Sequence, residues 1–90
     1  MRIKNGFVVK EIAGQYVVVA LGEASKVFNG IITLNESGKL IWTLLAEGKE
    51  KKDIVDSILA EYDGVDVQTA ENDFDKFVEV LKGANILEQE

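Results

Sequence analysis

The stretch Phe7-Val8-Val9-Lys10-Glu11-Ile12-Ala13-Gly14-Gln15-Tyr16-Val17-Val18-Val19-Ala20-Leu21 decides how the rest of the chain is read. Both halves are rich in β-branched and aromatic side chains, which suit the pleated, half-buried surface of a sheet. Only Ala13-Gly14 separates them. A two-residue connection with Gly second accepts the positive φ of a tight hairpin turn, so the stretch predicts two antiparallel strands. After Gly22-Glu23-Ala24-Ser25-Lys26 comes another apolar run, Val27-Phe28-Asn29-Gly30-Ile31-Ile32-Thr33-Leu34. It predicts a third strand, with Gly30 marking a bulge or a place where another backbone comes close.

Beyond Leu34 the apolar period changes from that of a strand to that of a helix. Asn35 is placed to cap a first helix by accepting a hydrogen bond from a free backbone amide. Leu40, Ile41, Leu44 and Leu45 form its buried stripe, and Gly48 stops it. Trp42 lies off the centre of that stripe, and its large ring is expected to pack on a neighbouring element. A second helix is predicted from about Glu50 to Tyr62, with Ile54, Val55, Ile58, Leu59 and Tyr62 on one face and Asp63-Gly64 at its end. Asp66 caps a third, which runs to about Lys82 with Gly83 terminating it. Ile86-Leu87 then returns to the core.

The third helix carries more apolar surface than a small core needs. Val67, Ala70, Phe74, Phe77, Val78 and Leu81 fall in one stripe, flanked by Glu71 and Asp75 on one shoulder. The other shoulder holds Asp73 together with Val80 and Ala84. Either this helix packs on both the sheet and the second helix, or Phe77 and Val80 help floor a groove beside the sheet.

Ninety residues bound the chain, residues 1–90, to one domain. Hydrophobic residues at 47% and charged residues at 29% match an ordinary globular composition without low-complexity tracts. The formal charge of −6 is unevenly spread. Residues 1–60 hold 8 basic and 7 acidic groups, whereas residues 61–90 hold 2 basic and 9 acidic ones. Nucleic-acid binders displace counterions with cationic groups, so an acidic final third argues against that partner. No stretch is long and apolar enough to span a bilayer, and the amino terminus lacks the apolar core of a signal peptide. The expected location is the cytoplasm, with no membrane partner.

Catalytic patterns are missing as well. With no Cys and no His, the chain lacks thiol nucleophiles, imidazole bases and the usual zinc ligands. Gly30 and Gly38 stand apart from any phosphate-cradling loop. Carboxylate pairs such as Asp53/Asp56 and Asp73/Asp75 are common on solvated helices. The expectation is a protein that is not an enzyme and needs no cofactor or metal.

Three strings carry a resemblance: Gly30-Ile31-Ile32-Thr33-Leu34-Asn35-Glu36-Ser37-Gly38, Ile41-Trp42-Thr43-Leu44-Leu45 and Ile58-Leu59-Ala60-Glu61-Tyr62-Asp63. In their order and spacing, from Phe7 through Leu87, the chain resembles the PqqD-like family. These are small pyrroloquinoline quinone (PQQ) biosynthesis chaperones within the wider group of RiPP recognition elements (RiPP, a ribosomally made, post-translationally modified peptide). The resemblance implies an α+β, winged helix-turn-helix-like fold, a three-stranded antiparallel sheet followed by three helices. It also implies a single peptide-recognition domain that captures the leader of a precursor peptide. The leader adds as a strand beside the third strand, lies against the third helix, and is presented to a modifying enzyme, often a radical SAM protein.

Carried over by position, the peptide-binding residues are Val27, Phe28, Asn29, Gly30, Ile31, Ile32 and Thr33 on the edge strand, with Asp73, Phe77 and Val80 on the third helix. A free strand edge offers unpaired amides and carbonyls, and alternate side chains of an added strand enter a neighbouring groove. The acidic shoulder led by Asp73 would favour a leader carrying Lys or Arg. Two alternatives share the architecture. A winged-helix DNA binder would present Arg or Lys on the third helix, where this chain carries Glu71, Asp73, Asp75 and Glu79 against Lys76 and Lys82. A homodimer would pair the exposed strand or helix with its own copy.

Overall fold

The computed structural model describes residues 2–26 and 32–88. Among these residues eight strands and α-helices follow one another: β1 (Arg2–Ile3), β2 (Phe7–Ile12), β3 (Gln15–Ala20), β4 (Ile32–Leu34), α1 (Glu36–Ala46), α2 (Lys51–Glu61), α3 (Val67–Gly83) and β5 (Leu87–Glu88). A 3₁₀ turn at Gly22–Lys26 leads out of β3. The architecture is α+β, an antiparallel sheet of order β2-β3-β4 followed by three helices.

The hairpin forms where its sequence places it, with Ile12 opposite Gln15. Both turn residues have positive φ, 52° at Ala13 and 81° at Gly14, as a mirror-image turn matched to strand twist requires. The register then sorts the side chains by face. Phe7 pairs with Ala20 and Val9 with Val18, which in turn pairs with Ile32. Tyr16 lies opposite both Glu11 and Leu34. Phe7, Val18 and Leu34 on this face are buried, whereas Val8 and Ile12 on the other are exposed.

The helices cover the buried face. Ile41, Leu45, Ile54, Ile58, Leu81 and Ile86 are the largest fully buried side chains, so every helix and the carboxyl-terminal tail contribute to the core. α1 is central: it packs on α2, α3, β1 and β4. Trp42 is buried, as expected of a ring packed on a neighbour, and lines a cavity with Phe7, Val9 and Tyr16 between the sheet and α1. α3 begins at its predicted cap, where Asp66 Oδ1 accepts from the Thr69 amide at 2.8 Å.

Several features depart from the sequence reading. β3 ends at Ala20, and the Leu21 amide donates to the Gly6 carbonyl at 2.6 Å. The tail Ile86-Leu87 is buried as expected, but it also builds a second, two-stranded sheet. Ile3 pairs with Leu87, Arg2 with Glu88, and the Lys4 amide donates to the Ile86 carbonyl at 2.8 Å. Gly83 does not terminate α3. The helix includes it, Ala84 is the cap residue, and Asn85 takes the left-handed conformation at φ 59°. Asn tolerates that region because its short polar side chain satisfies local groups. Val67 lies on the first turn of α3 and is exposed, not part of the packed stripe. The predicted strand residues Val27, Phe28, Asn29, Gly30 and Ile31 lie outside the described residues.

Two glycine-type positions give opposite expectations. Gly6 has φ +94°, and a Cβ there would stand 2.9 Å from the Ala24 Cβ and 3.0 Å from the Leu21 carbonyl oxygen. Gly6→Ala should therefore lower stability by more than about 1 kcal/mol in denaturant titration. Ala13→Asn should raise it by about 0.5–1 kcal/mol, since an alanine at positive φ is strained where Asn is tolerated. A third expectation concerns acid. The Thr69 amide, then the Thr69 hydroxyl, holds the Asp66 carboxyl below its ordinary value. The cap's contribution is thus present above the ordinary Asp range and lost as pH falls through the lowered folded value. Asp66→Asn keeps a capping oxygen without the titration, so it should lose less stability than the parent as pH falls through and below the ordinary Asp range.

Candidate functional site

β4 is the last strand of its sheet, so among the described residues one of its edges has no strand beside it. Next to it lies a groove of about 610 Å³. Gln15 and Tyr16 of β3 and Ile32, Thr33 and Leu34 of β4 line one side. Asn35, Glu36 and Gly38 at the start of α1 form its end, and Phe77 and Val80 of α3 stand opposite. A second cavity, of about 290 Å³, shares Asn35, Gly38, Phe77 and Val80 and extends to Ser37, Ile41, Asp73 and Lys76.

Local sequence builds this geometry. β4 passes into α1 with Asn35 as the only residue between them, and Asn35 takes extended φ and ψ of −84° and −175°. Its Oδ1 accepts from the Gly38 amide at 2.8 Å and from the Ser37 hydroxyl at 3.1 Å. The cap thereby fixes the angle between the strand and the helix that carries it. Across the sheet, Lys39 Nζ sits 4.5 Å from the Tyr16 ring centroid, a cation–π contact that holds the aromatic wall against α1. Of the α3 residues, Phe77 is half-buried, Val80 is 50% exposed and Asp73 is exposed. That half-exposure distinguishes this face of α3 from Phe74, Val78 and Leu81, which are buried in the core.

Charge around the groove is mainly acidic. Glu36 lines the groove itself, and Asp73 and Lys76 line the adjoining cavity. The field of Glu36 reaches the end of α2, where burial first, then Glu36, then Glu61, holds the Tyr62 phenol above its ordinary value. Among the described residues no group of three or more acidic side chains is placed to hold a metal ion, and no helix is long and apolar enough to cross a membrane.

Of the residues singled out in the sequence, Ile32, Thr33, Phe77 and Val80 line one groove, and Asp73 lines the adjoining cavity. Val27 to Ile31 fall outside the described residues. Sequence reasoning put Leu34 on the same edge but did not place Tyr16, Asn35, Ser37, Gly38 or Lys76 at the site. The three-residue interval from Asn35 to Gly38 was the available signal, because a cap reaches back over just that interval.

The profile of the family described as coenzyme PQQ synthesis protein D (PqqD) matches residues 9–87. The chain belongs to the PqqD family. No curated protein sequence matches it. Among solved structures it is similar to one described as TbiB1 in complex with the TbiA(beta) leader peptide. Identity is 34%, the TM-score is 0.78, and the match covers 100% of this chain and 98% of that one. A lasso peptide synthetase B1 complexed with the leader peptide shares the fold at 22% identity and a TM-score of 0.73, over 94% of this chain and 93% of the other. The family's α+β fold is therefore present over nearly the whole length.

The junction that shapes the groove has a measurable energy. Asn35→Ala leaves the Gly38 amide without its acceptor and should cost about 1 kcal/mol of stability, whereas Asn35→Asp should be close to neutral. Denaturant titration of the two variants checks this, and equal losses would show that the cap is not what holds the turn.

Proposed function

We propose that this protein captures the leader of a ribosomally made precursor peptide by strand addition at the β4 edge and presents it to a modifying enzyme. The observation that carries the reading is the edge of β4, unpaired among the described residues, beside a groove walled by Phe77 and Val80, in a chain 34% identical to one solved with a leader peptide. Strand addition uses main-chain hydrogen bonds that any extended peptide supplies, so selectivity must come from the groove and its charges. The role is non-catalytic: binding and presentation require no nucleophile, acid–base pair or cofactor. It is exercised in the cytoplasm, and a radical SAM protein is the kind of enzyme that the family resemblance implies.

The peptide pairs with Ile32 and Thr33 and with the preceding residues 27–31, and its apolar side chains reach Phe77 and Val80. Acidic α3 suits a leader with Lys or Arg near Asp73 and disfavours duplex DNA, whose phosphates call for cationic side chains.

Titration with the TbiA(beta) leader peptide as probe, followed by amide NMR, should move signals of residues 32–34, 77 and 80. Shifts confined to residues 46–50 or 64–66, or none, would contradict the edge-strand reading. Phe77→Ala should weaken binding about 30-fold, or about 2 kcal/mol, in protein first shown to be folded, because Phe77 is half-buried. Asp73→Lys should leave stability within about 0.5 kcal/mol while slowing association with a cationic peptide and reducing its salt dependence.

A further inference from the structure

Gly38 lies in the first turn of α1 with ordinary helical backbone, so its φ does not require glycine. Alanine is the better helix former at such a position. What glycine supplies here is space. A Cβ at residue 38 would stand 3.5 Å from the Leu34 Cβ at the end of β4 and 3.5 Å from the Phe77 Cε1 on α3. A single methyl group would thus touch both walls of the groove at once. It would also stand 3.1 Å from Asn35 Oδ1, closer than carbon ordinarily approaches the capping oxygen.

Gly38 lines both cavities, the one of about 610 Å³ beside β4 and the one of about 290 Å³ that reaches Asp73 and Lys76. We infer that Gly38 is the specificity-determining residue of the groove: its missing side chain leaves a narrow gap between Leu34 and Phe77 that admits one flat or slender side chain of the bound strand. This rests on the peptide-docking reading and adds to it the residue that selects for side-chain size. With a methyl at position 38 the two walls meet, and only a small side chain passes over them.

The test compares the parent protein and Gly38→Ala against the TbiA(beta) leader peptide and a series in which each of its residues in turn is replaced by Ala. In the parent, one replacement should cause the largest loss and so identify the anchor. Gly38→Ala should weaken binding of the unaltered leader at least about tenfold while binding the anchor-less peptide within about twofold of the parent. An equal loss on every peptide, as Asn35→Ala would give by loosening the cap alone, overturns the inference, and so does no loss at all. Phe77→Leu widens the same gap from the α3 wall and should shift preference toward a bulkier anchor. An unchanged preference overturns the inference even if Gly38→Ala does not fold. Failure of the parent to bind the leader defeats the docking reading together with this one, whereas binding at β4 that ignores position 38 defeats this one alone.

Discussion

The Gly38 amide reaches back 2.8 Å to Asn35 Oδ1, and the relation between sheet and helices depends on that turn. With one residue between β4 and α1, the chain has no slack to absorb a change of direction. Asn35 holds extended backbone on its amino side and starts a helix on the other, so Leu34 is still buried against the core while Gly38 already lies on α1. Because α1 also packs on α2 and α3, the orientation set at Asn35 passes to the helix forming the opposite wall of the groove. A capping bond of about 1 kcal/mol would be minor on an exposed helix. Here the same bond lies at the point where Leu34 of β4 and Phe77 of α3 come closest to α1 at Gly38.

The core that maintains this arrangement is shared among distant parts of the sequence. Ile41 and Leu45 of α1, Ile54 and Ile58 of α2, Leu81 of α3 and Ile86 of the tail are all fully buried. Truncating any one of them to Ala would cost about 2–5 kcal/mol, comparable with the whole stability of many small domains. Two residues around the groove are exempt from that demand: Val80 is half-exposed and Asp73 exposed, so both can vary without the penalty attached to their buried neighbours Leu81 and Phe74.

Legibility in the sequence followed the range of the interactions. The hairpin, the Asn35 and Asp66 caps and all three helices were readable because each depends on residues close along the chain. The width of the apolar surface on α3 pointed to Phe77 and Val80, and both line the groove. β1 and β5 were not readable, since two-residue strands have no periodicity and exist only because the chain ends meet. Gly83 misled for a related reason. A glycine near a helix end is a good stop signal, but the Ala84 amide still donates to the Val80 carbonyl, so the helix runs past it, and Asn85 makes the turn, closed by the Ile86 amide donating to the Leu81 carbonyl. The contributions of Tyr16 and Gly38 to the groove depend on α3 lying across from β4, a relation that no local pattern encodes.

The pairing of β1 with β5 has a consequence for how this protein can be joined to others. Arg2 faces Glu88 across an antiparallel ladder, so the chain enters and leaves the fold at neighbouring points. Arg2 also lines a cavity with Gly48, Lys49 and Lys51, at the turn between α1 and α2. The groove begins at the other end of α1, and eleven residues of helix span about 16 Å. A polypeptide spliced onto either end, or a host chain interrupted to receive these residues as an insert, would therefore attach at one common point set back from the groove. Both junctions would lie side by side there, away from the groove beside β4.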